Sequence, residues 1–229
     1  MYDYQSDATK FLNEYIEKHP EEAERRLKNR DLLWDVELKA EELGIDLESL
    51  PNAAARIAVK VKEREAAGYT YDAADASFEL LALNELGRLP RFLRVESWKV
   101  MSQEITEVKG EPFAQSEATV KIHTDRRHIR TAEGNGPVNA LDRALRHVMT
   151  RDYPVCADFE LADFKVRILD EERAGTDATI RVLIEMSDGH RSWWTVGIGT
   201  DVIEASWEAL FEAYWWGLLR SGADSLLIE

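Results

Sequence analysis

The stretch EGNGPVNALDRAL, residues 133–145, places two glycines and a proline directly before Val138, Leu141 and Leu145, which have the apolar spacing of a helix. The pattern continues to Val148, so one apolar face is predicted. A second helix of the same kind follows, with Ile203, Trp207, Leu210, Tyr214 and Leu218 on its apolar face. Laid on the first with a shift of 65 residues, it brings Gly199 onto Gly134, Ile203 onto Val138 and Ala205 onto Ala140. The Ala-Leu pair at 209–210 then falls on the pair at 144–145.

Ahead of these helices the period changes from helical to two. FLRVESWKVM (92–101), SEATVKIH (116–123), ADFKVRIL (162–169) and ATIRVLIEM (178–186) alternate apolar with polar residues, as half-buried antiparallel strands do. KGEP (109–112), DEERAGTD (170–177) and SDGH (187–190) are turn signals between them. The order strand, strand, strand, helix thus occurs twice. The predicted class is α+β: two pseudo-repeated βββα units, antiparallel sheets packed on two helices, preceded by an arm of short helices.

That arm covers residues 1–89, rich in Glu, Lys, Ala and Leu, before a domain at 90–229. Leu32, Leu33, Val36 and Leu43 suggest a helix ended at Gly44, and Ile57 and Val61 one ended at Gly68. Asp72 or Asp75 is the expected N-cap of a third, carrying Phe78, Leu81 and Leu86 up to Gly87.

A chain of 229 residues, 45% hydrophobic, can bury a real core. Its net charge of −15, from 44 acidic and 29 basic residues, argues against nucleic acid and anionic membrane partners. No stretch approaches the roughly 20 apolar residues of a membrane span, and the polar start MYDYQSDATK does not read as a signal peptide, so a cytoplasmic location is expected. Cys156 is the sole cysteine and reads as a small buried hydrophobe.

The chemistry points back to the opening stretch. At a helix start the first N–H groups are unpaired and the dipole is positive, so a carboxylate is favoured there. Gly134 and Gly136 clear the approach, Pro137 suits the first turn, and Val138 with Ala140 leave a small apolar wall. Read alone, Gly-x-Gly-Pro is also a plain structural turn. The remaining candidates read as bland. His123 and His128 flank a turn expected to be solvated, with no metal set near Asp125. Glu133 and Asp142 suit a helix start electrostatically and do not read as an acid/base pair. Ser77 and Ser206 lack the nucleophile-elbow glycines, and the tryptophans at 193–194 and 215–216 suit a core or a subunit interface.

GYTYDAADASFELL (68–81), TAEGNGPVNALDRAL (131–145), FKVRILD (164–170), GTDATIRVLIEMSDG (175–189) and WWTVGIGTDVIEASWEAL (193–210) resemble the C-terminal part of the citramalate synthase and 2-isopropylmalate synthase family. The resemblance runs from about residue 37 to 220, and AEELGIDLESLP (40–51) with the aromatic 68–81 segment favours the citramalate branch. It implies a linker at 1–89 and a regulatory and dimerisation domain at 90–229. It further implies a homodimer, isoleucine or leucine as allosteric ligand, and a catalytic barrel, in cis or in trans, that condenses acetyl-CoA with a 2-oxo acid. No barrel motif is recognisable here, so no catalytic residue, metal ligand or cofactor site is expected in this chain; the divalent metal and acetyl-CoA belong to the barrel. The first 30 residues do not match the family. By position, the feedback amino acid is expected at Gly134, Asn135, Gly136, Pro137, Val138 and Ala140, and at the repeat positions Asp201, Ile203 and Ala205. Asn135 and Asp201 are the candidates for its ammonium. The alternatives are a split subunit of an active enzyme and a dimerisation domain that has lost its ligand.

Overall fold

The structure is a computed structural model that describes residues 36–47, 50–105, 113–169 and 178–226. Leu32, Leu33 and the turn signals at 109–112 and 170–177 lie outside the described residues. The chain divides into two compact units, Met1–Ala54 and Ala55–Glu229. Helix α1 (Val36–Glu42) belongs to the first, and α2 (Ala53–Ala66) begins at the junction. The larger unit continues through α3 (Asp75–Glu85) into β1 (Arg94–Ile105), β2 (Phe113–His123), β3 (Arg127–Gly134) and α4 (Pro137–Asp152). A short 3₁₀ turn (Pro154–Asp158) leads to β4 (Glu160–Ile168), β5 (Ile180–Ser187), β6 (Ser192–Gly199) and α5 (Val202–Ser221). Among the described residues no helix is long and apolar enough to cross a membrane.

The class is the expected one. Two antiparallel three-stranded sheets, ordered β1-β2-β3 and β4-β5-β6, each lead into one long helix. The repeat is closer than the letters suggested: β3 and β6 are both eight residues long, both end in glycine, and their helices both begin three residues later, all with the 65-residue offset. β1 and β4 each carry a bulge near the start, at Val95/Ser97 and at Leu161/Asp163. The alternation in the sequence singled out β1, β2, β4 and β5. The third strand of each unit escaped it, because the inward positions of β3 are His128, Arg130 and Ala132, and β6 is nearly apolar throughout.

α4 packs on β2 and β3, α5 on β5 and β6, and the two helices touch. Val120, Ile122, Leu141 and Leu145 therefore share one continuous core with Val182, Ile184, Leu210 and Tyr214, all eight fully buried. Each such side chain contributes about 1.5–3 kcal/mol of transfer free energy, so each βββα unit draws part of its stability from the other. α5 lies close to its sheet because β6 lacks a side chain where they cross. A Cβ on Gly197 would collide with the Ala205 carbonyl oxygen and lie 2.8 Å from Ala209 N.

α3 is tied to this core by polar contacts. Ser77 Oγ accepts from the edge amide Val196 N at 2.9 Å and donates to Glu212. Buried Glu79 accepts from Trp216 Nε1 at 2.8 Å and from Arg220 Nη2 at 2.6 Å. Thus both tryptophans at 215–216 hydrogen-bond within the chain, Trp216 to Glu79 and Trp215 to Pro90 O, as does Trp193, to Ala213 O. Gly44, Gly68 and Gly87, the expected helix stops, all have positive φ. The expected cap of α3 is corrected: neither Asp72 nor Asp75 caps it. Ala74 holds the N-cap position without a side-chain bond. A backbone turn from Ala74 N to Tyr71 O brings the chain in, and Asp75 is already inside the first turn, where its charge suits the dipole.

Gly197→Ala should lower the unfolding free energy by about 1–3 kcal/mol or more, since both atoms it meets are backbone of α5. Urea unfolding followed by tryptophan fluorescence would measure this, and an unchanged midpoint would refute the close-packing account.

Candidate functional site

The opening stretch forms the last two residues of β3, a two-residue link and the start of α4. Gly136 is the N-cap, extended at φ −171 and ψ 168, and no side chain caps the helix. The first intrahelical bond runs from Ala140 N to Gly136 O at 2.9 Å. Pro137 has no N–H, so the amides of Val138 and Asn139 precede that bond with no carbonyl in their own helix. A Cβ on Gly136 would meet nothing within 4 Å. The entrance is open at the positive end of a 16-residue helix.

Gly134 has a different task from the one its position suggested. A Cβ there would lie 2.5 Å from Ala140 N and 2.7 Å from Asn139 Oδ1, so α4 itself fills the space that this glycine leaves. Asn139 Oδ1 is buried without a hydrogen-bond partner. An unsatisfied buried acceptor costs about 1–3 kcal/mol, and an incoming donor recovers it.

At the repeat-related entrance the same frame is closed from within. Gly199 sits against α5 as Gly134 sits against α4, its Cβ position being 2.8 Å from Ala205 N. Asp201 is the N-cap, and its Oδ1 accepts from Ile203 N at 2.7 Å and Glu204 N at 2.9 Å. Glu204 Oε2 reaches back to Thr200 N at 3.1 Å. This Asp-x-x-Glu arrangement is a close variant of a capping box, its glutamate reaching the amide one residue before the N-cap, and Gly136-x-x-Asn139 is its counterpart with both acids removed.

Six of the nine expected residues therefore gather at the α4 entrance and three at the α5 entrance. Asn135 and Asp201 are exposed, Gly136, Pro137, Val138 and Ile203 half-buried, and Ala140 and Ala205 fully buried beneath the strand ends. Sequence reading missed Asn139. Comparing the third helical position of the two copies, Asn139 against Glu204, was the signal that could have found it.

Glu133 and Asp142 do not form a pair. Glu133 is exposed, while Asp142 is buried and accepts from Tyr214 Oη at 2.9 Å and from Arg146 Nη2 at 3.1 Å. Burial, with Asp142 beside it, holds the Tyr214 phenol well above its usual pKa. Burial likewise raises the Cys156 thiol to about 12, which leaves it inert. A cavity of about 400 Å³ lies among α2, α3 and α5, lined by Arg64, Leu80, Leu81, Phe211, Glu212 and Trp215. Burial lifts the Glu212 carboxyl to about 7 against the opposing bond from Ser77. The expectation of a solvated turn at His128 is also corrected. His128 is 3% exposed and faces Asp152, the last residue of α4, because β3 turns that side chain toward the helix.

A family model described as the LeuA allosteric (dimerisation) domain matches residues 72–215. Another, described as a protein of unknown function (DUF3460), matches residues 3–50. The (R)-citramalate synthase of Streptomyces coelicolor is 52% identical over 189 residues, which are 82% of this chain and 34% of that protein. That of Synechocystis sp. is 45% identical over 188 residues, 81% of this chain and 34% of that protein. The 2-isopropylmalate synthase of Pseudoalteromonas atlantica is 32% identical over only 94 residues, 41% of this chain and 17% of that protein. The chain spans about a third of the length of the two citramalate synthases.

Copying the α5 cap into α4 tests the contrast between the entrances. Gly136→Asp should raise stability by a few tenths to about 1 kcal/mol, because aspartate accepts from the first-turn amides and complements the dipole. A lower melting temperature for this variant would show that the entrance amides are not free.

Proposed function

The chain belongs to the LeuA allosteric (dimerisation) domain family, and on that premise we propose that it is an amino-acid-binding regulatory domain that dimerises and controls a citramalate synthase-like acyltransferase. The open entrance of α4, set against its closed copy on α5, is the observation that carries this reading. An α-amino acid offers a carboxylate for the uncapped amides and an ammonium for the unpaired Asn139 Oδ1. Its carboxylate takes the amides of Val138 and Asn139, and its ammonium donates to Asn139 Oδ1, with Asn135 as a further acceptor. Val138 is an apolar wall for a branched side chain, which points to isoleucine or leucine, and Asp201 and Ile203 hold the corresponding positions at the α5 entrance. Ala140 and Ala205 act beneath them by letting each helix close on its strand end.

Two such chains form the regulatory dimer, and the condensation of acetyl-CoA with a 2-oxo acid belongs to a barrel in cis or in trans. The amino acid biases that barrel only through different affinities for two states of the assembly. The divalent metal and acetyl-CoA are assigned to the barrel on this reading.

Calorimetric titration of the chain should show binding of isoleucine or leucine, and little of glycine or alanine. Gly136→Val should abolish it with the melting temperature retained, since the extended φ accepts valine and the space around a Cβ is empty. A folded Gly136→Val protein that binds like its parent would sink the entrance as the site. Light scattering at micromolar concentration should give twice the 26.2 kDa chain mass, and a monomer there would remove the dimer.

A further inference from the structure

At the end of α4 opposite its open entrance, four side-chain atoms converge where the β2–β3 turn meets the last helical residue. His128 Nε2 lies 2.9 Å from Asp152 Oδ2, 3.0 Å from Thr124 Oγ1 and 3.5 Å from Asp125 Oδ1. Thr124 Oγ1 lies 3.3 Å from Asp125 Oδ1 and also contacts Asp152 Oδ2. These are five close contacts among four atoms. With both carboxylates ionised, the only protons to place between them are those of the Thr124 hydroxyl and of a protonated Nε2. At most two of the five contacts can then be full hydrogen bonds.

The lone pairs at His128 and Asp152 face one another out of water, for the His128 side chain is 2% exposed and that of Asp152 5%. Asp152 also ends a 16-residue helix, where the dipole is already negative. A single cation among the four atoms resolves every contact at once. The three separations from His128 Nε2, 2.9–3.5 Å, bracket the edge of a tetrahedron, about 3.3 Å, for metal–ligand bonds of about 2.0–2.1 Å, while Thr124 and Asp152 stand closer together than that edge and part when the ion enters.

We propose that Thr124, Asp125, His128 and Asp152 bind one divalent transition-metal ion of zinc's size, which clips the β2–β3 turn to the end of α4. The imidazole selects such an ion over calcium or magnesium, which take oxygen ligands, and two carboxylates neutralise its charge. Asp125, with its side chain 45% exposed, is the door. Arg126 Nε, 3.6 Å from Asp125 Oδ1 on a side chain 54% exposed, leaves that carboxylate for solvent when the ion enters.

The test uses the 229-residue chain after chelator treatment, with Zn²⁺ followed by calorimetry and Co²⁺ by visible absorption. One ion per chain is expected, with the bands of four-coordinate Co²⁺ and a melting temperature that rises with metal concentration. Asp125→Asn changes a largely exposed group and should leave the fold intact while weakening affinity by about tenfold or more, since even outer-shell changes cost about 10–100-fold. His128→Gln should abolish binding; if it fails to fold, the Asp125→Asn result decides. Absence of Zn²⁺ and Co²⁺ uptake by the folded parent at micromolar concentrations overturns the site. Uptake undiminished in folded Asp125→Asn overturns it equally, by placing the ion elsewhere.

Discussion

The seat of each long helix on a strand-end glycine is the contact on which the rest of this structure depends. Gly134 lies under Ala140 and Gly199 under Ala205, each too close to the helix backbone to carry a Cβ. A side chain at either position would lift the helix from its sheet and open the shared core along Leu141 and Leu145 or along Leu210 and Tyr214. Because the glycine ends the strand and the helix begins three residues later, the same contact also fixes where the first-turn amides lie. Packing and ligand chemistry meet at one point of the backbone.

From that common seat the two copies diverge. α5 satisfies its own start with Asp201 and Glu204, while α4 has Gly136 and Asn139 in the same two places. An uncapped start and an unpaired amide oxygen are both unfavourable, and nothing in the packing calls for them: the space around a Cβ at Gly136 is empty, so a capping side chain would fit. Local rules broken without a structural reason are the mark of a functional site.

The fold was largely legible in the sequence because its main signals are local. Period-two alternation marked four strands, the 3.6-residue period marked both long helices, and a 65-residue offset joined them into units. What stayed hidden depends on pairs far apart in the chain. β3 shows no apolar alternation because His128 is one of its inward residues, and the partner that makes this tolerable, Asp152, lies 24 residues on. Glu79 looks like a solvated helix position until Arg220 arrives from the far end of α5. At the candidate site the direction of approach was legible but the division of labour was not. Gly134 and Gly136 look alike in the letters, and only the path of α4 shows that one admits the helix and the other faces open space. Asn139 was hidden for the same reason, since its burial follows from that path.

The two ends of α4 form a single electrostatic pattern. A helix is stabilised by acids at its start and bases at its end. α5 obeys, with Asp201 and Glu204 at one end and Arg220 at the other. α4 has no acid in its first turn, and although exposed Arg151 lies in its last, the residue that ends it and is buried there is Asp152. Its positive end is thus left for an anion and its negative end holds a carboxylate in need of a cation. The imidazole of His128 answers that need in part, and within reach of the same imidazole Asp125 adds a second negative charge. In a repeat built twice on the same seat, the second copy caps its own helix with Asp201, and the first has no such side chain. An amino acid at the start of α4 and a cation at its end would both act on one helix, which its close seat on Gly134 joins to β3.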